Sequence, residues 1–193
     1  IEADVVTEEI KKADAVGIPY SEMVVLYRTN AQSRVLEDAL RNSNIPYKIF
    51  GGLSFYAHKE IKDVLAYMRL VINNLDVESL RRIINVPSRG IGEKTIDKLM
   101  TASREQQINP LDFILKIDNL KHDFNAGTKN KLKRFGDIIS SLSDTYKNND
   151  AYQTAEKIIK DSGILEEYSS NNNIENISKR ENINELLNAI RQY

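Results

Sequence analysis

An apolar run of β-type residues, Val24-Val25-Leu26, ends abruptly in Tyr27-Arg28, and a polar turn then leads into a helical pattern through Glu37. In open α/β sheets, ligands bind at the carboxyl ends of strands, which is where this pattern puts Tyr27 and Arg28. An aromatic plane beside a guanidinium suits a ligand with a base and a phosphate chain, because one side chain can stack while the other pairs with charge. The same spacing also describes a strand end whose Tyr packs and whose Arg caps the sheet. The residues alone leave both readings open.

The surrounding periodicity predicts a β-α-β unit. The segment Met23–Tyr27 reads as a first strand, and Thr29 or Asn30 can cap a helix whose Val35, Leu36, Ala39 and Leu40 form one apolar face. Asn42-Ser43-Asn44 ends that helix, Pro46–Phe50 reads as a second strand, and Gly51-Gly52 punctuates it. Two such strands would pair in parallel through a right-handed crossover. Ahead of them, Val5, Val6, Ile10 and Ala13 predict a helix from about Ala3 to Val16, stopped by Gly17.

After Phe50 the period turns helical and stays so. Ile61, Val64, Leu65, Met68 and Val71 mark one strong helix, and Asp76 caps another over Val77–Asn85. Further helices are expected near Glu93–Gln107, Pro110–Ile117, Thr128–Lys147, Ala151–Asp161 and Ile174–Gln192, with a loop at Asn171-Asn172-Asn173. The fold class is therefore α/β plus all-α. A boundary near Asn74 divides residues 1–74 from a helical part, residues 75–193.

Composition narrows the function classes. A net charge of −1 excludes a uniformly basic protein, so a nucleic-acid surface must be a local patch. There is no cysteine, hence no disulfide framework or thiolate zinc site, and His58 and His122 form no ligand pattern; no metal site is expected. No apolar stretch approaches the roughly 20 residues that span a bilayer, and no secretory signal opens the chain, so no membrane partner and a cytoplasmic location are expected. The chain starts at Ile1 and stops at Tyr193 inside a helical pattern, which reads as a piece of a larger protein.

Self-sufficient catalytic motifs are missing: there is no G-x-x-x-x-G-K-[ST] loop, no H-E-x-x-H and no G-x-S-x-G. A second informative stretch is Asn85-Val86-Pro87-Ser88-Arg89-Gly90-Ile91-Gly92-Glu93-Lys94-Thr95. Two glycines around an apolar residue, just before a helix, expose backbone N–H groups in an arrangement that binds phosphate. Arg81, Arg82, Arg89, Lys94 and Lys98 add positive charge nearby. A tight inter-helix turn with closely packed glycines is the other reading. A third stretch, Phe55–Leu65, sets charged pairs on one helix face and an apolar stripe on the other; it reads as mainly structural, with Lys59 or Lys62 as candidate nucleic-acid contacts.

Taken in series, these stretches resemble superfamily 1 DNA helicases of the UvrD/PcrA/Rep group. Tyr27–Glu37 (YRTNAQSRVLE) resembles their motif IV, Gly51–Arg69 the segment that follows, and Arg82–Lys98 the start of their accessory 2B domain with its GIG element. The resemblance implies that residues 1–74 are the N-terminal part of the second RecA-like motor lobe (2A) and that residues 75–193 are a truncated helical 2B domain with a helix-hairpin-helix-like GIG turn. It implies that Tyr27 stacks on the adenine of ATP and that Arg28, the catalytic candidate, reaches the γ-phosphate, with Gln32 and Arg34 holding the loop-to-helix turn. Arg89, Gly90, Ile91, Gly92, Lys94 and Thr95 would hold duplex DNA by its backbone. The implied cofactor is ATP with Mg, whose ligands lie outside this chain. The implied partners are a single-strand/duplex DNA junction and repair or replication proteins, and the implied activity is 3′→5′ unwinding. His58 departs from the family's usual Arg. Alternative functions are a non-catalytic DNA-binding module or a protein-interaction domain.

Overall fold

The computed structural model describes residues 2–50, 52–171 and 173–192, which form ten α-helices. Gly51 and Asn172, to which a turn and a loop were assigned above, lie outside the described residues. By compactness the chain divides into two units, Ile1–Lys62 with Asn173–Leu186, and Asp63–Asn172 with Leu187–Tyr193. Among the described residues, no helix is long and apolar enough to cross a membrane.

In the first unit, α1 (Glu2–Ala15) carries Glu2 and Asp4 in its first turn and Lys12 in its last, as the helix dipole favours. It stops before Gly17, whose φ of +93° is left-handed and open to glycine without a side-chain clash. The next helix, α2 (Asn30–Asn42), buries a different face from the one its apolar residues mark. Ser33, Arg34 and Glu37 are buried with Leu40, whereas Val35 is exposed and Leu36 and Ala39 are half-buried.

Hydrogen bonding explains this inversion. The Glu37 carboxylate accepts from Ser33 Oγ (3.2 Å), Tyr47 OH (3.2 Å), the Phe55 N–H (2.8 Å) and Ser54 Oγ. Arg34 donates to Asp38 (3.0 Å) and to Glu185 in the last helix (2.8 Å). A buried charge without partners costs several kcal/mol, but one saturated with donors becomes a fastening.

The expected strand pair is not formed: no strand occurs among the described residues, and Met23–Tyr27 and Pro46–Phe50 carry no ladder. Both segments instead line an apolar groove of about 650 Å³ with Ile10, Leu36 and Leu40. Val24 (79%), Leu26 (89%) and Phe50 (80%) stand exposed. The physical reason is that strand character requires a neighbour. An apolar segment of parallel type is stable only when flanked by other strands and covered on both faces, and here no strand lies beside either segment among the described residues.

Helix α3 (Lys59–Ile72) runs from the first unit into the second. Ile61, Val64, Ala66, Tyr67, Leu70 and Val71 are buried, so its covered arc is wider than the expected stripe. Its acids are structural: Glu60 accepts from Asn182 Nδ2 at 2.6 Å within the first unit, and Asp63 pairs with Arg82 Nε at 2.8 Å within the second.

The second unit is a helical array with well-placed caps. Asp76 opens α4 (Val77–Ile83), its carboxylate accepting from the Ser79 N–H (2.9 Å) and hydroxyl (2.7 Å). After α5 (Glu93–Glu105), Asn109 caps α6 (Pro110–Leu115) by accepting from the Leu111 N–H at 2.9 Å. Asn125 caps α7 (Ala126–Tyr146), and Asp150 caps α8 (Ala151–Asp161). The short α9 (Ile164–Ser169) is an element the periodicity did not predict, because six residues cannot establish a helical period. The last helix is α10 (Ile174–Arg191). The core gathers Tyr67, Ile83, Leu99, Phe113, Phe135 and Ile139, all fully buried. Burying each such side chain contributes about 1.5–3 kcal/mol.

Candidate functional site

The two sequence-predicted sites lie in different units. In the first, Tyr27 is 38% exposed and Arg28 is exposed, with no side-chain partner for either among the described residues. What positions them is the start of α2. Gln32 turns back so that its Oε1 accepts from the Arg28 N–H at 2.9 Å and the Thr29 N–H at 3.1 Å. This side-chain acceptor satisfies two donors that the helix itself cannot, and it fixes the backbone from which both side chains project. Gln32 thus holds the loop-to-helix turn. Arg34 does not: its guanidinium is committed to Asp38 and Glu185, away from the turn.

His58 is largely buried, with Nδ1 at 3.8 Å from Glu60 and with Nε2 lacking a partner among the described residues. At 3.8 Å from Glu60 the imidazole makes no short hydrogen bond of the kind an Arg guanidinium would make.

In the second unit, Ile91 is buried and anchors the turn between α4 and α5 in the core. Asn85 staples it: the Oδ1 accepts from the Arg89 N–H (2.8 Å) and the Ile91 N–H (3.0 Å). Gly90 sits at φ +68°, in the left-handed region. Gly92 is the N-cap of α5, and the N–H groups of Gly92, Glu93 and Lys94 have no acceptor among the described residues. Unfilled donors at a helix start, with the positive end of its dipole behind them, are an anion-binding arrangement. Thr95 is half-buried one residue further on.

Arg89, expected to hold duplex DNA, is engaged within the protein. Its guanidinium points inward, donating to the carbonyls of Ile83 (3.2 Å), Val86 (2.7 Å), Pro87 (3.2 Å) and Ser162 (2.9 Å) and to Tyr67 OH (2.7 Å). It also lies 5.6 Å from the Phe135 ring centre. Tyr67 OH in turn donates to the Val86 carbonyl. Burial pushes the Tyr67 phenol up to about 12, against the opposing pull of Arg89. Arg89 therefore shapes the turn from within, with both Nη groups engaged.

The other expected cations are mostly compensated. Arg81 Nη2 bridges Glu93 and Asp97 at 2.9 Å each, Arg82 pairs with Asp63, and Lys98 pairs with Asp123 at 2.7 Å. Lys94 is exposed and has no partner among the described residues. A cation missed from the sequence is Lys131 of α7, whose Nζ donates to the Gly90 carbonyl at 3.1 Å. It stands 41 positions away, and no local pattern links the two.

Fold and turn define the class: a helical module whose α4–α5 pair is joined through a Gly-Ile-Gly turn with free donors. The family model for the UvrD-like helicase C-terminal domain matches residues 1–193. The chain is 37% identical over 196 residues to "ATP-dependent DNA helicase PcrA" of Staphylococcus epidermidis, covering all of this chain and 26% of that protein. It is 36% identical over 192 residues to the protein of the same name from Staphylococcus aureus, with the same coverage. The chain belongs to the UvrD-like helicase C-terminal domain family. It spans about a quarter of the length of these relatives.

Proposed function

We propose that this chain is part of an ATP-dependent 3′→5′ DNA helicase, with residues 1–74 serving as the first part of the second motor lobe (2A) and residues 75–193 as the accessory 2B domain. In this reading Met23–Tyr27 and Pro46–Phe50 become strands when further strands of the lobe flank them, which would cover Val24, Leu26 and Phe50. The observation that carries the nucleotide half is the exposed Tyr27–Arg28 pair, held at the start of α2 by Gln32. An unpaired ring and an unpaired guanidinium on a fixed backbone fit a base and a polyphosphate. Mg ligands are assigned to the rest of the protein.

Bound ATP supplies the free energy of phosphoryl transfer. Tyr27 stacks on the base and sets the register. Arg28 offers two parallel donors to the terminal phosphate, stabilising charge that grows in the transition state. Because Arg28 reaches that phosphate from a separate lobe, its engagement reports closure of the cleft. In the second unit, Gly90, Gly92, Lys94 and Thr95 grip the duplex ahead of a single-strand/duplex junction by its phosphates, and buried Ile91 and half-buried Arg89 hold the turn in shape. Backbone contacts of this kind bind without reading sequence. Repair or replication proteins are the proposed protein partners.

Replacing Arg28 tests the nucleotide half. In the full-length protein Arg28→Ala is expected to lower DNA-stimulated ATP turnover by a factor on the order of 10³ or more while duplex affinity stays within twofold. Turnover within a few-fold of the unsubstituted protein would remove Arg28 from the site.

A further inference from the structure

We propose that Lys131 of α7 is a DNA-backbone contact, a second cation that completes the phosphate-binding turn at Gly90–Thr95. The inference rests on the reading of that turn as the duplex grip, and it adds a residue from a different helix. Three observations within the second unit carry it.

The first is placement. Lys131 Nζ lies 3.1 Å from the Gly90 carbonyl oxygen and would stand 2.7 Å from a Cβ placed on Gly90. The φ of +68° is what calls for glycine at position 90, and its missing side chain leaves the space that the Lys131 ammonium occupies. The second is compensation. The neighbouring α7 lysines, Lys129 and Lys133, both bind Asp118, at 3.1 and 2.5 Å. Lys131 has no carboxylate partner among the described residues, is exposed, and uses one of its three donors on Gly90. The third is local charge. A backbone carbonyl beside an anion site repels the anion, and so does Glu93 at the first position of α5. Arg81 is shared between Glu93 and Asp97, and Lys131 covers the Gly90 carbonyl, so Arg81, Lys94 and Lys131 set three cations against two carboxylates and leave the face of the turn attractive to phosphate.

Ammonium and turn together suit adjacent phosphates of one strand, with Lys131 on one and the α5 N–H groups with Lys94 on the next. A lysine acts here as a point charge without base preference.

The test is a salt titration of duplex binding, using a blunt DNA hairpin and the full-length protein without nucleotide. Removing one lysine–phosphate pair is expected to reduce the slope of log K against log salt by about 0.9. Lys131→Gln is expected to show that reduction with an unchanged thermal midpoint, and Lys131→Arg to restore the slope. Lys94→Gln, run alongside, separates the two levels of the argument. If Lys94→Gln lowers the slope and Lys131→Gln does not, the turn binds DNA and Lys131 merely covers a carbonyl, which overturns this inference alone. If neither variant changes the slope, the turn is not the duplex grip and the inference falls with that reading.

Discussion

Arg89 and Tyr67 show how a residue can serve a surface without reaching it. The guanidinium spends its donors on four carbonyls and one phenol, so the loop before Gly90 is held from beneath. The phenol is held in its neutral, donating form, because burial opposes the phenolate more than Arg89 favours it. The sign of the pH dependence follows. An unfolded tyrosine ionises near 10, whereas Tyr67 in the fold ionises at about 12, so its contribution is intact below pH 10 and is lost as pH rises from 10 to 12. A loss of about 2–3 kcal/mol across that window is expected. Denaturant unfolding at stepped alkaline pH would show it as a fall in midpoint that Tyr67→Phe abolishes. An equal fall in the Phe variant would assign the effect elsewhere.

Among elements, the packing of α6 on α7 depends on one missing methyl. A Cβ on Gly136 would stand 2.8 Å from Ile114 Cγ2 and 3.2 Å from Leu115 Cδ2. Glycine inside a helix costs about 0.5–1 kcal/mol relative to alanine, so Gly136→Ala would stabilise α7 if packing allowed it. Packing does not allow it. Ile114 is fully buried and β-branched, with little freedom to yield, and overpacking costs about 1–3 kcal/mol. Gly136→Ala is therefore expected to destabilise the protein on balance, read as a lower denaturant midpoint with an unchanged slope. A stabilised variant would mean that α6 can shift at no cost.

At the scale of the whole molecule, the two candidate sites belong to separate compact units. Tyr27 and Arg28 supply a stacking surface and a charge but nothing that grips a triphosphate, since the chain has no G-x-x-x-x-G-K-[ST] loop. This 193-residue chain, purified alone, is expected to show no ATP turnover above a buffer blank in a phosphate-release assay with or without DNA. Turnover abolished by Arg28→Ala would reveal a complete site within it and overturn the division of labour proposed here.

Local chemistry was legible where a signal acts over a few residues. The cap at Asp76, the stop at Gly17, and the spans of α5, α7, α8 and α10 follow from side chains that act on their own turn of backbone. The motif that pointed to the helicase family was equally plain in Tyr27–Glu37. Tertiary structure decided the rest, because those outcomes depend on partners far along the chain. Burial of the polar face of α2 required Tyr47, Ser54, Phe55 and Glu185; the inward turn of Arg89 required Tyr67 and Ser162. The apolar segments at 23–27 and 46–50 have strand composition, yet a strand exists only as a pair, and no residue type can supply its own neighbour. Lys131 meets Gly90 only because α7 packs beside the turn, a proximity that no spacing in the sequence encodes.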